Sequence, residues 1–391
     1  MNAVTKSPLE LLVQELEVPR SSYETAAERY EDLGTWLHDP AKAQCAAFAP
    51  QVSPQGSFRL GTAIKPLGGE PYDLDLVCTL TQGVSPLTHS QMSLKNMLGA
   101  DLEEYRKERR IQKPLEPKNR CWRLEYQDAL AFHMDAMPAV PHTSQERRVL
   151  MERMVTAGLY APDADALARL ALAITDRRLP NYPIIDPRWP VSNPEGFARW
   201  FELRMKQSRN AISRRVLMEA VASIEELPTY RWKTPLQRVV QVLKRHRDIM
   251  FKDNPYGKPI SVIITTLAAR QYSGEEDLET ALGEIVRGMA MAVNPSRPRV
   301  PNPVNPAEDF ADKWATPEGK KLRLEENFFL WVEQAQIDFE LVARASGRRL
   351  VEQASEKFGV DLSRAGVPTD RPSHSPRIQG LAAAPPSPWL G

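Results

Sequence analysis

Residues 72–80, YDLDLVCTL, alternate strictly enough to require a strand with two unlike faces. Leu74, Leu76, Cys78 and Leu80 fall on one side, while Asp73, Asp75, Val77 and Thr79 fall on the other. The first side needs a core. The second sets two carboxylates about 6.6–7 Å apart along the backbone. Such a pair repels itself unless a cation is present. Ahead of this strand lies QGSFRLGT, Gln55 to Thr62. Gly56 permits close approach of backbone to an anion, Ser57 supplies a hydroxyl, and amides opening a short helix attract negative charge. A further strand is expected over Phe132 to Ala136, where His133 and Asp135 share a face. Asp135 is the third carboxylate, whereas His133 reads as a packed or solvated strand histidine. Three such acids suit two divalent cations, one holding a nucleotide's phosphates and one activating a hydroxyl nucleophile.

Several other chemistries are excluded. Neither G-x-x-x-x-G-K-[ST] nor G-x-G-x-x-G occurs in the stretch, which rules out a P-loop and a dinucleotide fingerprint. The three cysteines, Cys45, Cys78 and Cys121, form no C-x-x-C pair, so a zinc ribbon or disulfide framework is not expected. The formal net charge is +1, too near neutral for a dedicated nucleic-acid coat. The N-terminus mixes acidic residues into its apolar pattern, and no apolar run is long enough to span a bilayer, so a cytoplasmic protein without membrane association is expected.

The 391 residues suggest about two domains. Ser7-Pro8 and Thr234-Pro235 read as caps with proline at the first helical position. Helices are expected over 22–38, 89–110, 145–159, 234–248, 276–293 and 321–358, and short strands between residues 48 and 136. These place N-terminal helices in 1–40, a catalytic core in 41–200, a helical lid in 201–360, and a Pro-rich disordered tail in 361–391.

The order Gly56-Ser57, Asp73-x-Asp75, Asp135 resembles the signature of the polymerase β-like nucleotidyltransferases. QGSFRLGTAIKP followed by YDLDLV resembles the bacterial CD-NTases, relatives of animal cyclic GMP-AMP synthase and oligoadenylate synthase. WPVSNPEGFARWF, SVIITTLAA and NPVNPAEDFADKW extend the likeness over about residues 20–345. The resemblance implies an α+β fold, with a mixed-sheet nucleotidyltransferase lobe, an oligoadenylate-synthase-like helical lobe, and a long bridging helix matched by Ser22 to His38. It implies an enzyme that joins nucleoside triphosphates, ATP or GTP, into a cyclic di- or trinucleotide with two Mg²⁺, for which Mn²⁺ substitutes. The product is a second messenger of anti-phage defence that acts through a downstream effector.

Carried over by position, Asp73 and Asp75 hold both ions and Asp135 the catalytic one. Gln55, Gly56 and Ser57 cradle the triphosphate, Lys244 and Ser261 reach it from the helical lobe, and Asp309 contacts base or ribose. From the residues alone, Lys244 belongs to a solvated basic helix face and Ser261 to a helix cap. Val262 stands where the animal enzyme has a stacking aromatic, leaving Tyr256 or Tyr272 to stack a base. No zinc-ligand spacing is found, so no DNA activator is expected. The terminal Trp389-Leu390-Gly391 resembles the C-terminus that ubiquitin-like machinery conjugates in some relatives, with Gly391 as the site. The rivals are a template-independent RNA or tRNA nucleotidyltransferase and a degenerate nucleotide-binding scaffold.

Overall fold

A computed structural model describes residues 7–127, 131–206 and 233–363. The chain opens with helix α1 (Pro8–Leu16), where Ser7 is the expected cap and the structure adds a capping box with Glu10. After a break at Glu17–Pro19 comes α2 (Arg20–His38). β1 (Pro50–Pro54) leads through the four-residue helix α3 (Gly56–Arg59) into β2 (Tyr72–Leu80). Helix α4 (Gln91–Glu108) then crosses to β3 (Glu116–Pro117), β4 (Trp122–Tyr126) and β5 (Phe132–Pro141). Helices α5 (Ser144–Thr156) and α6 (Ala161–Ala168) precede β6 (Leu172–Ile174) and β7 (Val191–Ser192).

These strands make one mixed sheet in the order β1-β2-β5-β4-β3, with β6 on the far end of β5 and β7 beyond it. β2 and β5 run parallel, and the other pairings are antiparallel. One face is apolar: Leu74, Leu76, Leu124, Met134 and Ala136 pack against α2 and α4 residues such as Leu33, Leu37, Leu94 and Leu98. Each fully buried leucine there contributes about 1.5–3 kcal/mol.

The rest is helical. α7 (Pro194–Met205), α8 (Pro235–Met250), α9 (Ser261–Gln271) and α10 (Leu278–Met289) come first. A hairpin of β8 (Pro301–Asn302) and β9 (Asn305–Asp309) follows, then α11 (Pro317–Lys321), α12 (Leu324–Arg344) and α13 (Gly347–Phe358). The helix expected over 321–358 is therefore interrupted, with extended backbone at Ala345 and Ser346 before Gly347. α8 lies at the centre, in contact with α1, α9, α10, α12 and α13.

Packing revises two expectations. Leu150 and Met154 of α5 and Leu167 of α6 share a core with α8, α9, α10, α12 and α13, so the helical core begins earlier in sequence than residue 201. The lobe-bridging role expected of 22–38 also falls elsewhere. α2 buries Ala26, Tyr30 and Leu33 wholly in the sheet lobe, while α1 buries Leu9, Leu12 and Leu16 in the helical lobe. The elbow at Glu17–Pro19, tied by Glu17 to Lys233, joins the two. The tail with Gly391 lies outside the described residues.

Candidate active site

On the polar face of the sheet the register sets Asp73 beside His133 and Asp75 beside Asp135. The next strand adds Arg123 beside Asp135 and Glu125 beside His133. All three expected acids therefore share one face. Asp75 is half-buried, and its carboxyl is pushed up to about 7, first by desolvation and then by the charges of Asp135 and Asp73. Asp73 stays largely exposed, its Oδ1 lying 3.3 Å from His133 Nδ1 and 3.7 Å from the Arg123 guanidinium. Asp135 is gripped at both oxygens by Arg123, at 2.6 and 2.8 Å. Among the described residues no three His, Cys, Asp or Glu side chains converge as a ready-made metal cluster. In this structure both Asp135 oxygens are committed to Arg123.

The Gly-Ser turn sits directly on Asp75. The Gln55 backbone N–H donates to the Asp75 carbonyl at 2.8 Å, and Gly56 adopts φ +64°. A Cβ on Gly56 would come within 2.4 Å of Asp75 Oδ2, so glycine is required for space as well as conformation. Ser57 O accepts from the Thr62 and Ala63 amides, closing the loop behind the turn. The Gln55 side chain departs from its expected place. Its Nε2 lies 3.5 Å from the Leu76 carbonyl, and the cleft is lined from Gly56 onward.

Helix α8 holds that loop from the other lobe. Gln237 donates to the Leu60 carbonyl at 3.0 Å, Gln241 to Ala63 at 2.7 Å, Lys244 to Thr62 at 2.9 Å, and Arg245 to Lys65. The spacing i, i+4, i+7, i+8 is one helical face. Arg59 adds a buried strap, donating to Glu195 at 2.9 Å and Glu202 at 2.7 Å on α7. Neither Arg59 nor the two glutamines were recognised from sequence, although Arg59 stands inside QGSFRLG.

Between the lobes opens a cavity of about 800 Å³, lined by Gly56, Ser57, Asp73 and Asp75 on one side and Lys244 and Ser261 on the other. Lys244 is thus a buried cation at the cleft wall, not a solvated one. Burial, then Arg247, pulls its ammonium down to about 8. Ser261 is the first residue of α9, and its Oγ accepts from Arg247 at 2.9 Å. Arg247, Asp248 and Lys258, which sequence did not single out, extend this charged wall.

Asp309 is a correction. Its oxygens accept from the backbone amides of Arg299, Val300 and Ala311 at 2.8–2.9 Å, pinning the hairpin in place of a nucleotide contact. Tyr272 is buried with its hydroxyl on the Glu275 carbonyl, outside the cavity lining. Tyr256 does line it, 82 % exposed, as do Phe197 and Phe310, whose rings meet edge-on at 6.0 Å. Burial pushes the thiols of Cys78 and Cys121 up to about 12, and Cys45 higher still.

Residues 50–138 match the model of the nucleotidyltransferase domain of DncV-like cyclic GMP-AMP synthases. A c-di-GMP synthase of Roseivirga ehrenbergii is 28 % identical over 341 residues, 86 % of this chain and 79 % of that protein. The cyclic dinucleotide synthase CdnG of Bradyrhizobium diazoefficiens is 25 % identical over 336 residues, 78 % of this chain and 70 % of its own length. The structure of that CD-NTase in complex with GTP superposes with a TM-score of 0.63 at 22 % identity, covering 90 % of this chain and 94 % of that one. No helix among the described residues is long and apolar enough to cross a membrane. With the three acids on one sheet face and the glycine turn against Asp75, residues 50–138 match a DncV-like nucleotidyltransferase domain, and the chain around them has the fold of that CD-NTase.

Proposed function

We propose that the protein joins nucleoside triphosphates, GTP among them, into a cyclic di- or trinucleotide. The observation that carries this is the half-buried Asp75, packed under the Gly56 turn beside Asp135 and Asp73 at a cleft that Lys244 closes. The three acids are hard oxygen donors suited to Mg²⁺ or Mn²⁺, and the burial cost of Asp75 is offset only when positive charge arrives. Asp73, Asp75 and Asp135 would hold two such ions, whose chemistry is to lower the pKa of an attacking hydroxyl and draw charge from the triphosphate. The chain does the rest. Gly56 and Ser57 let the triphosphate approach the backbone, Lys244 supplies opposing charge, and Ser261 offers a hydroxyl held by Arg247. Phe197 and Phe310 give the cleft an apolar wall that displaces water.

The product would be a messenger for an effector in anti-phage defence, and Gly391 the residue that ubiquitin-like machinery conjugates. Deleting the last residues should abolish conjugates in cells and leave turnover of the purified enzyme intact. Unchanged conjugates retire that part of the reading.

The direct experiment is to incubate the protein with all four nucleoside triphosphates and Mg²⁺ or Mn²⁺, treat with phosphatase and look for resistant cyclic species by mass spectrometry. Asp75→Asn should remove them. Linear or primer-linked product would favour a template-independent RNA or tRNA nucleotidyltransferase. Nucleotide binding without pyrophosphate release would favour a scaffold.

A further inference from the structure

Strand β9 delivers two adjacent acids to different places. Asp309 faces the loop amides that it pins, so the residue before it must face the other way. That residue is Glu308, which lines the cleft, as does Phe310 two positions on. Glu308 Oε2 accepts from Asn302 Nδ2 at 2.7 Å, and among the described residues Oε1 has no partner. The amide orientation of Asn302 follows from its surroundings. Its Oδ1 must meet the Val304 N–H at 3.0 Å, so Nδ2 turns to Glu308 and keeps a second hydrogen. Asn302 itself is 6 % exposed and lines the same cleft.

We propose that Glu308 and Asn302 read guanine in the nucleotide that this cleft binds. This rests on the nucleotide-joining reading above and names the base. Side by side, the pair offers an amide donor followed by carboxylate acceptors. Guanine is the common base whose pairing edge complements that order, with the O6 acceptor beside the N1–H and N2–H donors. Adenine brings one donor and sets the N1 lone pair against a carboxylate oxygen. Uracil has a single N–H between two carbonyls, and cytosine a single amino donor beside two acceptors. A site built to hydrogen-bond a substrate group rejects analogues lacking it strongly, because its own polar atoms are left unpaired. The Phe197–Phe310 pair supplies an apolar wall against which a flat ring can lie.

The test is equilibrium binding of the non-reacting α,β-methylene triphosphates of guanosine, inosine and adenosine to the full chain, by calorimetry with Mg²⁺. Inosine lacks only the 2-amino group. The wild type should bind the guanosine analogue about 10- to 100-fold tighter than the inosine one, as expected for a hydrogen bond to a charged acceptor. Glu308→Gln, with its fold checked by circular dichroism, should bring the two within about threefold and leave the adenosine analogue no weaker. Equal guanosine and inosine affinities in the wild type overturn the assignment even if the variant fails to fold. So does an undiminished ratio in a folded Glu308→Gln. Guanosine preference that depends on Glu308, without any cyclic product, would retire the synthase reading and keep this one. Cyclic product with guanine incorporation unchanged in Glu308→Gln would do the reverse.

Discussion

Asp75 combines a desolvated, half-buried position with two like charges, and the consequence is a pH-dependent penalty. Its folded value of about 7 lies above the 3.8 of an unperturbed aspartate, so the native chain holds a proton that the unfolded chain has released. Stability from this group is therefore complete below about pH 4 and declines as pH rises through 7, by about 4 kcal/mol at most. A bound divalent cation offsets that loss. Melting temperatures should rise more on adding Mg²⁺ at pH 8 than at pH 5.5. Asp75→Asn should melt above the wild type in metal-free buffer at pH 8 and lose the Mg²⁺ increment together with all product. An equal increment at both pH values would contradict this account. Gly56→Ala tests the turn. The added methyl meets Asp75 Oδ2 at 2.4 Å and opposes φ +64°, so the turn must shift away from the acid. Displacements of about 1 Å cost roughly 100-fold in rate, and turnover should fall by that order while circular dichroism stays native.

Among the elements, α8 was legible as an amphipathic helix with Thr234-Pro235 at its start, and the structure adds its capping box with Gln237. What periodicity could not show is that its polar face is buried too. Gln237, Gln241, Lys244 and Arg245 meet backbone carbonyls of residues 60–65, a contact some 180 positions away in sequence. The basic run KRHR read as solvated for that reason. His246 of the same run is buried instead, accepting from Trp331 Nε1 at Nδ1 and facing Asp338 at 3.0 Å. α3 and α7 are joined in the same long-range manner by Arg59. Arg59→Met leaves Glu195 and Glu202 without their buried partner and should cost about 3–5 kcal/mol in urea unfolding. Adding Glu195→Gln and Glu202→Met should recover most of it. A loss under 1 kcal/mol for the single variant would show that the strap is dispensable.

At the scale of the molecule, two cores meet at the cleft, and α1 belongs to the one its sequence position does not suggest. Leu12 is fully buried in the helical core. Leu12→Ala should cost about 2–5 kcal/mol. Hydrogen exchange should quicken first in α8 and α10, with β2 and β5 still protected; loss beginning in β2 would place α1 with the sheet instead. The same division cuts across the catalytic core expected over 41–200: α5 and α6 follow β5 directly in the chain yet bury Leu150 and Leu167 on the helical side.

Local chemistry was decided by the sequence itself. Alternation in YDLDLVCTL and FHMDA set which residues face the core and which face the site, because a strand's side-chain period is two whatever surrounds it. The turn at Gly56-Ser57 was readable as a place where backbone could approach an anion, and the structure adds its positive φ. Tertiary structure alone decided the pairing of β2 with β5, the capture of Asp135 by Arg123, and the burial of Lys244. It also sent Asp309 to the hairpin backbone and Glu308 to the cleft. Those outcomes depend on which distant segments supply a donor or a counter-charge, and no local period encodes a partner far along the chain.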